Sequence, residues 1–158
     1  MQTGLLHLHN FLRWVILALL ILSILKAYAG WKGKKTFNLA DKKTALFTMI
    51  AAHTTLLLGI FQVLWGRYGF LSYKLPEGTS VMKDKFLRFF LIEHPTLMLI
   101  AVVLITLGHG MYKKDVSDEI KYKSAFLYFL VALIILIISI PWPFREIVGR
   151  PYFPGIAG

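Results

Sequence analysis

Hydrophobic positions along this chain gather into four long, nearly unbroken runs, separated by shorter stretches rich in lysine, glycine, proline and aromatic residues. The runs cover roughly residues 5–28, 44–65, 86–111 and 124–142. Each is close to the about 20 residues that an α-helix needs to cross about 30 Å of hydrocarbon. Backbone groups in lipid must be satisfied within the segment, so such runs predict helices rather than strands. The intervening stretches at 31–43, 66–85 and 113–123 are short, which makes successive helices antiparallel. The predicted fold is therefore all-α, a transmembrane four-helix up-down bundle, with residues 1–158 forming a single four-span membrane domain. Pro141-Trp142-Pro143 ends the last helix, because proline lacks the N–H and clashes with a continuing turn.

Composition sharpens this picture. The chain is 57% hydrophobic and 16% charged, against about 25% charged in an ordinary soluble domain. A net charge of +10 raises the question of nucleic acid, but the basic residues lie between the apolar runs, where loop topology and contacts with membrane lipid account for them. No nucleic-acid partner is expected. The absence of cysteine excludes disulfides, thiolate chemistry, Cys-ligated iron–sulfur clusters and covalent c-type haem. The first run has no positive n-region and is too long for a signal-peptide core, so it reads as a retained span.

Charge also suggests an orientation. Lys26 and the first and third connections hold ten lysines and no arginine. The opposite side holds Lys74, Lys83 and Lys85 and all five arginines, Arg13, Arg67, Arg88, Arg145 and Arg150. Ten against eight is a small positive-inside bias that puts the lysine loops in the cytoplasm and both termini outside.

Polar residues inside the spans are costly unless paired or hydrated, and they mark candidate chemistry. They are His9 and Arg13 in the first span, His53 in the second, and Glu93, His94 and His109 in the third; the fourth supplies none. At about 1.5 Å per residue, His9, His53 and His94 all fall in the outer half, within about two turns of one another. His109 lies roughly 22 Å deeper than His94. Three chemistries suit this set. One is haem b held by two axial imidazoles, His9 with His94 from diagonal helices or His53 with His94 at a better match of depth. In that case Arg13, Arg88 and Arg145 are the cationic partners for propionates. The second is a copper or zinc ion on His9, His53 and His94. The third is a quinone site, in which His and Glu exchange protons. Against these stand ordinary structural roles. A membrane histidine can hydrogen-bond between helices without a cofactor. Arg13 and Glu93, at matched depth, can form a buried ion pair that fixes register. His7 and His109 read as polar residues near the interfaces, and Gly59 and Gly108 as close-packing positions. No phosphate loop, nucleophile elbow or His-Glu-x-x-His is present, and with no histidine in the fourth span one haem is the most the chain can hold.

Four stretches carry a resemblance: His9-Asn-Phe-Leu-Arg-Trp14, His53-Thr-Thr-Leu-Leu-Leu-Gly59, Glu93-His94-Pro95-Thr-Leu-Met98 and Ile140-Pro141-Trp142-Pro143-Phe144-Arg145. Together, over essentially the whole chain, they resemble a group of small bacterial four-helix integral membrane proteins labelled cytochrome b-like. That resemblance implies haem binding in the bacterial inner membrane and points to His9, His53 and His94, with Arg13, Glu93 and Arg145 as companions. It implies no particular substrate. The resulting expectation is a multi-pass membrane electron carrier with one haem b, a periplasmic-side site, and a quinol or a redox protein as partner. A bundle this small is also expected to form a homo-oligomer or join a larger membrane complex. A non-haem accessory subunit and a copper- or zinc-binding protein are the rival expectations.

Overall fold

A computed structural model of the chain describes residues 2–153. It contains four long helices: α1 (Gln2–Lys32), α2 (Leu39–Trp65), α3 (Lys85–Met111) and α4 (Asp118–Ser139). All four are long and apolar enough to cross a membrane. They extend the predicted spans mainly at the lysine-rich end of the bundle, where each helix start has its own cap. Asn38 accepts from the Asp41 N–H to begin α2, and Ser117 accepts from Ile120 N–H to begin α4, followed by Asp118 and Glu119 in its first turn. Such caps satisfy orphan N–H groups, and the acidic residues oppose the helix dipole. At the other end, Asp84 opens α3 by accepting from the Phe86 and Leu87 N–H groups.

α1 packs on α2 and α4, and α3 packs on the same two, so α1 and α3 face each other across the diagonal. Small residues line the contacts: Ala27, Ala45, Ala52, Ala101, Ala125 and Ala132 are all buried, which lets the backbones approach closely. Two glycines make room for rings. A Cβ at Gly30 would fall against the Tyr122 ring, and one at Gly108 against Phe129. Gly108 is thus a close-packing position, as its sequence context predicts. Large apolar side chains such as Leu25, Phe47, Leu57, Leu99 and Ile138 point outward, which suits helices surrounded by apolar material.

The lysine end is tied by polar bonds. The Tyr122 hydroxyl donates to Asp41 at 2.7 Å, Lys26 lies 3.4 Å from the same carboxylate and donates to Thr44 at 2.8 Å. Asp118 accepts from the Phe37 N–H. Burial, with Asp41 and Tyr122 beside it, pushes the Tyr112 phenol above its usual range. One turn further in, Ser23 and Thr48 share a buried 2.8 Å hydrogen bond between α1 and α2.

α3 is not a uniform α-helix. Phe89–Glu93 forms a turn of π-helix, in which the His94 N–H bonds to the Phe89 carbonyl five residues back. Pro95 follows directly. Its ring would crowd the carbonyl four residues before it in a regular α-helix, and a widened turn relieves that conflict. Arg88 and Glu93, five residues apart, would diverge on an α-helix; across the π turn they form an ion pair at 2.7 Å.

Candidate functional site at the arginine end

The end of the bundle opposite the lysine loops holds Arg13, Arg88 and Arg145 and brings two histidines together. His9 on α1 and His94 on α3 meet across the diagonal, with ring centroids 6.4 Å apart and ring planes at 67°. Local chemistry at the end of α4 positions His94. Ile140, the residue before Pro141, is extended and ends the helix. The last carbonyls of α4 have no helical partner, and neither Pro141 nor Pro143 has an N–H to offer them. Side chains take them instead. The Trp142 indole donates to the Ile137 carbonyl at 2.8 Å, Arg145 donates to the Ile138 carbonyl at 3.2 Å, and the Ser139 carbonyl pairs with His94 Nδ1 at 2.8 Å. A carbonyl only accepts, so His94 carries its proton on Nδ1, which leaves the Nε2 lone pair free. This arrangement fixes both tautomer and ring orientation, in the manner of outer-shell partners of metal-ligating histidines.

His9 is held differently. Its Nδ1 is buried and makes no hydrogen bond among the described residues. Its ring lies against Gly59 of α2, where an added Cβ would come 3.4 Å from the ring carbon Cε1. Gly59 is thus a close-packing position between α1 and α2, as its sequence context predicts, and the side chain it admits is His9. Phe89 borders the other side, 5.8 Å from the His94 ring, and the Arg145 guanidinium stacks on the far face of this aromatic neighbourhood, 4.6 Å from the Phe89 centroid. Beside Phe89 runs an open groove of about 370 Å³ bordered by Lys85, Arg88, Glu93, Arg145 and Glu146.

Several expectations need correction. His53 does not join the pair. It is exposed, and its Nδ1 bonds to the Met49 carbonyl of its own helix at 2.9 Å; depth alone matched it to His94, but its direction around α2 points away. No three His, Asp or Glu side chains converge to hold a metal ion among the described residues, so the set His9, His53 and His94 does not form a three-histidine centre. Glu93 does not pair with Arg13. It pairs with Arg88 because the π turn swings it to that side, and both remain part-exposed. Arg13 is buried and donates to the Tyr152 carbonyl at 2.7 Å, between the rings of Trp14 and Trp142. Its Nε has no hydrogen-bond partner among the described residues. Arg13 and Arg145 are both within electrostatic reach of His94. His109, read as an interfacial polar residue, is buried at the lysine end with both ring nitrogens unbonded. Two contributors went unread in sequence. Ser139 acts through its backbone, and only the Pro at its fourth residue onward hints that its carbonyl is free. Phe89 sits among many phenylalanines with no distinguishing signal.

Comparison with protein-family models, with curated proteins and with solved structures finds no significant match.

Proposed function

We propose that this chain is a small b-type cytochrome of the bacterial inner membrane, with His9 and His94 as the residues that would hold one haem b. The observation that carries this reading is the His9–His94 pair. The two rings come from helices that face each other, with centroids 6.4 Å apart and planes at 67°, and imidazole would be a natural donor to a haem iron. On the α3 side, His94 keeps Nε2 available because Nδ1 is engaged by Ser139; on the α1 side, His9 Nδ1 is buried beside Gly59 with no hydrogen bond among the described residues. Gly59 supplies a wall without a side chain next to His9.

When bound, haem b supplies reversible one-electron chemistry, tuned by its axial ligands and by burial. The chain's own residues set the conditions. Ser139 fixes the His94 ring, Phe89 borders it, Gly59 lies against His9, and Arg13 and Arg145 are the cations that would balance propionate charge. Among the described residues, Arg13 and Arg145 donate only to neutral carbonyls, whereas the Glu93 carboxylate already offsets the Arg88 charge, so Arg88 is the weaker propionate partner. Two histidines on diagonal helices would be enough to hold a haem, whereas a tetrahedral ion needs four ligands. In this reading the termini and the histidine pair lie on the periplasmic side, and the electron partner is a quinol or a soluble redox protein.

The decisive measurement is a reduced-minus-oxidised optical spectrum of the detergent-purified protein from haem-replete cells. A sharp low-spin α-band in the wild type, lost in both His94→Ala and His9→Ala, is the expected result. A wild-type spectrum without a Soret band overturns the reading.

A further inference from the structure

The His94 ring begins an unbroken series of aromatic contacts that leaves the bundle. From His94 it passes to Phe89 at 5.8 Å, Phe90 at 5.0 Å, Phe86 at 4.8 Å, Tyr68 at 5.1 Å and Tyr73 at 5.5 Å between ring centroids. Arg150 from the C-terminal segment covers its middle, 4.9 Å from Phe90 and 5.2 Å from Phe86. The series ends in a second groove, of about 330 Å³, bordered by Tyr68, Tyr73, Pro76, Thr79, Asp84 and Phe86. This groove shares no lining residue with the one beside Arg145.

We propose that the groove between Tyr68, Tyr73 and Phe86 binds the headgroup of a membrane quinone. A quinone headgroup is a flat, electron-poor ring with two carbonyl acceptors. The groove offers the matching features: aromatic walls on which such a ring stacks, and the hydroxyls of Tyr68, Tyr73 and Thr79 as donors to its carbonyls. Its volume lies at the small end of the about 300–1,000 Å³ range of ligand pockets, the size of a one- or two-ring headgroup. The same loop exposes Phe70, Leu71 and Leu75, an apolar surface along which an isoprenoid tail can lie. A soluble redox protein is the less suitable occupant, because such a partner needs a broad face of about 800 Å² and this site is a narrow concavity. The ring series gives the headgroup a packed route to His94. That significance rests on the haem reading above, whereas the binding itself does not.

The test is equilibrium binding of a decyl-tailed benzoquinone and a decyl-tailed naphthoquinone to the full-length protein in detergent, read by quenching of intrinsic fluorescence. It is run on haem-free and haem-replete preparations. Saturable binding by the wild type is expected, weakened about tenfold or more in the Tyr68→Ala/Tyr73→Ala double variant and unchanged in Tyr28→Phe. Circular dichroism and thermal melting check that the double variant is folded; if it is not, the milder Tyr73→Phe and Thr79→Val variants are expected to weaken binding several-fold. No saturable binding by the wild type overturns the proposal. So does equal uptake by wild type and variants, which is partition into the micelle, and so does competition-free binding of a soluble redox protein in place of quinone. Quinone binding by a protein that never acquires a haem band leaves the groove assigned and removes the cytochrome reading; a haem band without quinone binding does the reverse.

Discussion

The two ends of the bundle bury polar groups in opposite ways. At the lysine end, Asp41 is shared by Tyr122 and Lys26, Asp118 accepts from the Phe37 N–H, and Thr44 accepts a hydrogen bond from Lys26. These bonds join α1, α2 and α4 and cap helix starts. At the arginine end, His9 Nδ1 and Arg13 Nε are buried without hydrogen-bond partners among the described residues, and two imidazoles face each other across the diagonal. An unpaired buried polar group costs about 1–3 kcal/mol, so a structure that leaves two near each other, beside a histidine with a fixed tautomer, is shaped for something other than its own stability. The lysine end is a clasp, and in the haem reading proposed above the arginine end is the receptacle. His109 shows why pairing matters. It is also buried and unbonded, but it stands at the clasp with no second imidazole opposite, and an isolated orphan does not make a site.

Glycine substitutions should separate the two ends most sharply. In Gly30→Ala the new methyl meets the Tyr122 ring, which cannot retreat because it is fully buried and bonded to Asp41. Overpacking costs about 1–3 kcal/mol, and the helix-propensity gain of about 1 kcal/mol for Gly to Ala does not offset it. The expected outcome is a protein destabilised by about 1–2 kcal/mol in detergent thermal melts, with an unaltered haem spectrum in whatever fraction folds. A melt as high as wild type would mean that the clasp is loose and the contrast between the ends is wrong.

The helices are easy to anticipate from the sequence, and the side-chain contacts at either end are harder. Four apolar runs and their polar connections are enough to predict the helices, because burial in an apolar medium leaves the backbone one solution. The diagonal placement of α1 and α3 follows from short connections, and it correctly brings out His9 with His94. The failures share a cause. His53 was matched by depth, but depth along an axis says nothing of direction around it. Glu93 matches Arg13 in depth, but the π turn before Pro95 swings it to Arg88 instead. The Ser139 carbonyl is a backbone group, invisible to any scan of side chains, although Pro143 four residues on marks it as lacking a helical donor.

Gly59→Ala is the counterpart test at the arginine end. The added Cβ would lie 3.4 Å from the His9 ring, a contact relieved by a shift of a few tenths of an ångström. Folding stability should be unchanged or rise by up to about 1 kcal/mol from helix propensity. The expected effect is on the site: a displaced His9 ring, with a shifted haem midpoint potential and faster haem loss in redox titration and transfer assays. If Gly59→Ala instead lowers the melt as Gly30→Ala does and leaves the titration unmoved, then Gly59 serves packing alone and the receptacle loses its wall.

The smallest effect belongs to His53→Ala, and it bears directly on how the site is composed. His53 is exposed and bonded only to the carbonyl of Met49, one turn back on its own helix. Its removal frees a carbonyl that is already in the helical ladder, so stability should change by less than about 0.5 kcal/mol, as for other surface positions. The α-band should keep its position and amplitude while His9→Ala and His94→Ala lose it. Loss of the band in His53→Ala, with retention in His9→Ala, would transfer the ligand role to α2. The bundle would then have to rotate α2 on binding, because a side chain on its outward face cannot reach His94 otherwise.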